Sequence, residues 1–276
     1  MSGLTVPTVY MSRVNLLRWL GQPYSTQENT TLNQKLNIQQ SADLPTNQYP
    51  VPKCLAIGNG GHGMGLKSDG YPAITTLYHT PTDPVLFKQI PFIARRTDND
   101  LSPTERAKYR MRRLETHHGV DYFVYYLRII DANYGNIEQY MVTTENGVST
   151  PIAYEPPPSL MNPTPVTLSQ IEAGTGVSLE NKLSVSQVLS EEEAAEILNA
   201  VRIIYGSDDY ADITEVALYA GVDNPIVSTA GGVSASYTEF LGAQPWFFID
   251  TLSRVRENTP FVQFDFNLGN TYRMPV

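Results

Sequence analysis

The 276-residue chain is long enough for one large or two ordinary domains with a substantial core, and 41% of it is hydrophobic. Its formal charge of -9 argues against a general nucleic-acid binder, and its single cysteine, Cys54, excludes an intramolecular disulfide. Charged residues make up only 17%, whereas the 17 tyrosines supply apolar area with a polar tip of the kind favoured at protein interfaces.

The opening residues, MSGLTVPTVYMSRVNLLRWLG, lack a basic segment followed by a continuous apolar run, so no signal peptide is expected. No apolar run approaches the roughly 18 residues of a membrane helix, and a soluble protein of a cytosol-like setting is expected. Leu16, Leu17 and Leu20 fall at helical spacing within Val14 to Leu20, a helix short enough to persist only when docked. From Ser25 to Pro52 the chain is rich in Gln, Asn, Thr and Ser. It reads as an arm or long loop, closing an N-terminal region over 1–52.

A β-rich domain is expected over 53–155. CLAI, Cys54 to Ile57, is a short strand entering the loop GNGGHGMG, and apolar pieces follow at Ile74 to Tyr78 and Val85 to Ala94. Ser102, Pro103 and Glu105 form the start signal of a brief helix reaching Lys108. Tyr109 to Thr116, Gly119 to Asp131, Ile137 to Thr144 and Ser149 to Pro156 then read as a four-stranded meander. Its turns are His118-Gly119, Tyr134-Gly135-Asn136 and Asn146-Gly147. The second of these strands, GVDYFVYYLRIID, is apolar on both faces, so both require cover: its own domain's helix or second layer is expected on one, and the arm or a neighbouring subunit on the other.

Five prolines between Glu155 and Val166 mark a linker at 156–166, and an α+β domain is expected over 167–276. Val177 to Leu189 alternates weakly. Ser190 opens the best helix, its stripe formed by Ala194, Ile197, Leu198, Val201, Ile204 and Tyr205, and Gly206 ends it. Strands are expected at Ile213 to Ala220, Ile226 to Ser228, Pro245 to Asp250 and Phe261 to Leu268. The last places Val262, Phe264, Phe266 and Leu268 on one apolar face. The fold class is mainly β with a few helices (α+β), with antiparallel meander or sandwich-like sheets.

Gly58-Asn-Gly60-Gly-His-Gly63 matches a dinucleotide loop and follows a strand, but the sequence beyond it cannot start the helix whose N–H groups would hold a pyrophosphate. A tight or flexible loop is expected. His62, His79, His117 and His118 lack metal-ligand spacing and read as turn and surface residues. Cys54 reads as a small buried residue. No catalytic, cofactor-binding or metal residue is assigned, and the chain is not expected to be an enzyme. Seven basic residues face three acidic ones between Arg95 and Arg113; pairing with local carboxylates, a subunit contact and DNA are the readings left open.

At Asp212 to Pro225, DITEVALYAGVDNP, the segment I-T-E-V-A-L-Y resembles the I-T-E-I-G-L-[FY] segment of tailed-bacteriophage tail and fibre-attachment proteins. The block PFIARRTDNDLSPTERAKYRMR and the closing LGNTYRMPV resemble virion structural proteins of the same phages. The resemblance implies a homo-oligomeric ring or adaptor in the tail, baseplate or head-tail neck of a virion, joined to itself and to other virion proteins. It carries over no catalytic residue. Tyr122, Val124, Tyr126, Arg110, Arg112 and Trp246 are the expected interface residues. The alternatives are a carbohydrate-directed receptor-binding module or depolymerase, using Trp246 and the tyrosines, and a DNA-contacting connector using Arg110 and Arg112.

Overall fold

The computed structural model describes residues 5–24, 44, 47–66, 72–130, 137–155, 176–230 and 233–273. Most of the expected arm and the whole Pro-rich segment 156–166 lie outside these residues, as does the turn at Tyr134-Gly135-Asn136. The fold is mainly β, built from antiparallel sheets with a few helices.

The chain runs through β1 (Thr5–Pro7), α1 (Val9–Trp19), β2 (Val51–Gly58), β3 (His62–Leu66), β4 (Pro72–Thr76), β5 (Gln89–Ile90) and β6 (Ile93–Arg96). Then come α2 (Pro103–Arg106), β7 (Tyr109–His117), β8 (Val120–Ile129), β9 (Glu138–Glu145), β10 (Val148–Ala153) and β11 (Gly176–Ser190). It ends with α3 (Glu191–Tyr205), a 3-10 turn at Asp208–Ala211, β12 (Asp212–Ala230), β13 (Val233–Arg254) and β14 (Phe261–Arg273). Two compact units interleave along the sequence, one of Met1–Asp131 with Val188–Gln263 and one of Ala132–Gln187 with Phe264–Val276. The expected succession of domains, 53–155 then 167–276, is therefore not the observed grouping.

The first unit holds an eight-stranded sheet ordered β1-β13-β12-β2-β8-β6, with β7 added on β8 and β5 on β2. The expected strands β7 and β8 form a hairpin whose His118 and Gly119 both adopt positive φ, 51° and 78°, as a two-residue turn between twisted strands demands. Asn146 and Gly147 repeat that conformation between β9 and β10. The four strands nevertheless do not form one meander. The other side of β8 is taken by β6 from Tyr122 to Tyr125 and by β2 at Arg128 and Ile129, which leaves β9 no edge to join. Leu127, at φ 51°, sits between these two pairings. β9 and β10 belong instead to the second unit's four-stranded sheet, ordered β10-β9-β11-β14.

Both faces of β8 are covered by its own chain from Val124 to Leu127, all at 7% exposure or less. Of the two covers expected for the second face, the arm or a neighbour, the neighbour is not needed over these four residues. The cover includes α3, where Ser190 and Glu193 close a reciprocal capping box and Gly206 ends the helix at φ 73°. α3 buries Ala194, Ile197, Leu198, Ala200 and Val201, and each large aliphatic among them contributes about 1.5–3 kcal/mol relative to exposure. Arg95 of β6 pairs with Glu196, and Arg128 of β8 with Glu193, joining sheet to helix by charge as well.

Three further differences have local causes. α1 starts at Val9, five residues early, because Thr8 accepts from the Met11 N–H as its cap; of its residues only Val14 is buried, so the expected Leu16–Leu17–Leu20 stripe is not a docked face. β12 fuses two segments expected to be separate, and β13 extends the one expected over Pro245 to Asp250 back to Val233 and on to Arg254. Their ladder absorbs irregularities by register shifts, one beside Gly242 at φ 59°, and Pro225 lies where β2 no longer pairs with β12. In β14, Val262, Phe264 and Phe266 are buried while Phe261, Gln263, Asp265 and Asn267 are exposed, as the alternation predicts.

Candidate functional site

Glu215 is the one acid in the apolar run of β12 from Ile213 to Gly221, and its side chain is fully buried. The register explains how it fits. Its neighbour on β2 is Gly58, and a Cβ there would strike the Glu215 side chain and approach the Lys88 carbonyl to 2.7 Å. Its neighbour on β13 is a second acid, Asp250.

Four donors surround the Glu215 carboxylate. Oε1 accepts from the backbone N–H of Gly60 at 2.9 Å and of Lys88 at 2.8 Å, while Oε2 accepts from the Phe87 N–H at 2.8 Å and lies 2.8 Å from His79 Nε2. The next motif residue, Thr214, takes the Gly61 N–H on its hydroxyl at 2.8 Å. His79 Nδ1 faces Asp83 at 3.1 Å, and Asp83 caps the Thr80 amide and hydroxyl at 2.9 and 2.7 Å. The imidazole is stacked between Phe87 and Phe248, both at 4.0 Å and within 10° of parallel.

The electrostatics follow from these contacts. Burial opposes ionisation of Glu215, but hydrogen bonds from His79, Lys88, Phe87 and Gly60 outweigh it and hold the carboxyl below its ordinary value. Asp83 is also lowered, burial being overcome by Thr80 and His79. Asp250 goes the other way: burial raises it, and the nearby His79 charge and amide do not compensate. Neither Asp250 oxygen closes a hydrogen bond of ordinary geometry.

Chemically this cluster is a clasp. A general base or nucleophile needs a free lone pair within reach of a substrate. Here protein donors occupy both oxygens of Glu215, and neither Glu215 nor the His79 side chain meets solvent. The glycine loop, read from sequence against a phosphate cradle, does cradle an anion, and that anion is the chain's own carboxylate. β3 follows the loop where a nucleotide site needs a helix.

The basic stretch is paired throughout. Arg110 is bidentate on Asp223, which Lys53 also contacts; Arg112 meets Asp100 at 2.6 Å and lies over the Phe123 ring. Arg95, Arg96, Arg106, Lys108 and Arg113 pair with Glu196, Asp98, Asp100, Glu105 and Glu115. Of the expected interface residues, Val124 is fully buried, and Tyr126 is nearly so with its hydroxyl on Glu115; Trp246 is 9% exposed, with its carbonyl accepting from Thr8. Tyr122 is half-buried. Five of the six lie on the paired strands β7 and β8, where Tyr122, Val124 and Tyr126 share one face and Arg112 projects from the other, and Trp246 lies on β13.

Sequence reasoning missed the clasp. A lone glutamate inside an apolar strand and His79 four residues before Asp83 in a Pro-rich loop were the available signals. Cys54 is buried, and burial pushes its thiol up. Among the described residues no group of three or more His, Cys, Asp or Glu is arranged to hold a metal ion, and no helix is long and apolar enough to cross a membrane.

On α1 and its cap, Leu16, Trp19 and Leu20 are 55%, 72% and 60% exposed at i, i+3 and i+4. The model of a family of unknown function, DUF7208, matches residues 1–276. No curated protein and no solved structure matches the chain.

Proposed function

The chain belongs to DUF7208, whose description carries no role, and from its own residues we propose that it is a structural, non-enzymatic component of a tailed-phage virion. In this reading it is a homo-oligomeric ring or adaptor of the tail, baseplate or neck that joins neighbouring virion proteins. The observation that carries it is the exposed Leu16–Trp19–Leu20 face of α1. A tryptophan and two leucines on one helix face are costly in water and are among the groups that anchor protein interfaces. The resemblance of I-T-E-V-A-L-Y to phage tail proteins supports the virion part of the reading. The use of Thr214 and Glu215 as internal fasteners supports a structural role for that motif.

The carbohydrate and DNA alternatives gain nothing from the geometry. Trp246 lines no groove because it is buried, and Arg110 and Arg112 are held by carboxylates. The test is the mass and symmetry of the purified chain by electron microscopy and light scattering, with Trp19→Glu as comparison. A closed oligomer weakened by that substitution is expected. A monodisperse monomer that never enters particles overturns the reading.

A further inference from the structure

We propose that the distal half of the β12–β13 hairpin is an assembly arm that adds by strand pairing to the arm of a second copy of this chain. This rests on the homo-oligomeric reading and adds a second contact element to the exposed face of α1. β2 accompanies β12 only from Glu215 to Gly221, and β1 meets β13 only at Phe247 to Ile249. Beyond that, the hairpin continues from Val222↔Leu241 to Ala230↔Val233. Among the described residues no third strand pairs with this ribbon, so the backbone groups along both outer edges have no ladder partner. A two-stranded ribbon is marginal in water by itself, and an unpaired edge is a template for another strand.

The root of the ribbon is firmly fixed. Asp223 is gripped by Lys53 of β2 and Arg110 of β7, and a register shift beside Gly242 marks the departure from the sheet. From Asn224 to Thr238 the sequence then contains no Asp, Glu, Lys, Arg or His, in a chain whose net charge is -9. Two copies of an acidic chain repel, and a charge-free segment is where they approach at least electrostatic cost. Strand addition suits that segment because main-chain hydrogen bonds supply the affinity. Two other edge strands are interrupted by a proline, Pro7 in β1 and Pro151 in β10, whereas on this ribbon the only proline, Pro225, is at the root. The favoured occupant is therefore a second copy.

The experiment compares the full chain with two variants by native mass spectrometry and light scattering, with circular dichroism confirming the fold. In one, residues 225–238 are replaced by a short turn; in the other, Val227→Glu and Ala235→Glu place like charges on an intact ribbon. Self-association is expected to weaken at least about 100-fold in both, a loss matching several main-chain hydrogen bonds. An oligomeric full chain with folded, equally oligomeric variants overturns the arm and leaves the ring reading standing. A full chain that is monomeric at every concentration overturns both. Amide hydrogen exchange on the unaltered chain repeats the test without substitution. Protection of 226–230 and 233–237 that rises with protein concentration is expected, and concentration-independent exchange in an oligomeric sample overturns the arm.

Discussion

His79 Nε2 lies 2.8 Å from a carboxylate oxygen of Glu215, both side chains at zero exposure and the imidazole held between two phenylalanine rings. One contact therefore joins the central strand β12 to the loop carrying Pro81 and Asp83. The three amides on the same carboxylate add the glycine loop and the Phe87–Lys88 segment. Removing it should loosen all of them together. Glu215→Ala is expected to lower unfolding free energy by about 2–5 kcal/mol, because four donors, the buried His79 ring among them, lose a buried acceptor. Urea denaturation checks this through a lower midpoint at unchanged slope. A loss below about 1 kcal/mol would show that water replaces the carboxylate without cost.

The acid limb of stability should carry the same signature. Glu215 and Asp83 are held below their ordinary values of 4.5 and 3.8, so their contribution is present above those values and is lost as pH falls through the lower folded ones. Glu215→Gln should flatten that limb.

Asp250 is raised above its ordinary 3.8 by burial, so its contribution has the opposite sign, full below that value and lost as pH rises through the folded one. It is directly across from Glu215, and like charges so placed are destabilising. Asp250→Asn should therefore stabilise by up to about 1 kcal/mol at pH 7, the gain shrinking as pH falls toward 4. A gain that does not vary with pH would refute the charge argument.

Much of the secondary structure was legible. Turn chemistry at His118-Gly119 and Asn146-Gly147, the cap at Ser190 and the alternation of β14 are local, and local chemistry decided them. Partner choice was not legible, because a strand with two apolar faces such as β8 records that it needs neighbours without recording which. The clasp was hidden for a related reason. Glu215 and His79 are 136 residues apart, one on β12 and the other in the loop between β4 and β5, and only the tertiary fold brings them together. The aromatic, β-branched and charged side chains of the six expected interface residues look alike whether they meet a partner or their own chain, and in Val124, Tyr126 and Arg110 they serve the chain's own packing and ion pairs.

The glycine loop offers a discriminating test of whether it serves the fold or a ligand. Added methyl groups at Gly58 and Gly61 meet the Lys88 carbonyl at 2.7 Å and the Thr214 carbonyl at 2.6 Å, both backbone and unable to swing away. Gly58→Ala and Gly61→Ala should each cost about 1–3 kcal/mol of stability in the isolated protein. A phosphate cradle would instead leave stability unchanged and lose only ligand binding, so unaltered melting of both variants would reopen that possibility.

Leu127 carries the last prediction, because it sets where β8 exchanges one partner for another. It is fully buried at φ 51°, a conformation costing a side-chain-bearing residue roughly 1–2 kcal/mol. Leu127→Ala should destabilise by about 2–5 kcal/mol through the cavity it opens. In an ordinary strand Leu127→Gly would be worse than the alanine variant by a further 0.5–1 kcal/mol or so, since glycine loses more freedom on folding. At this position the order should reverse, with glycine the more stable of the two by about 1 kcal/mol, because it alone occupies positive φ without penalty. Paired urea titrations of the two variants decide it. If alanine proves the more stable, β8 runs straight through Leu127, and the bend that hands it from β6 to β2 is not there.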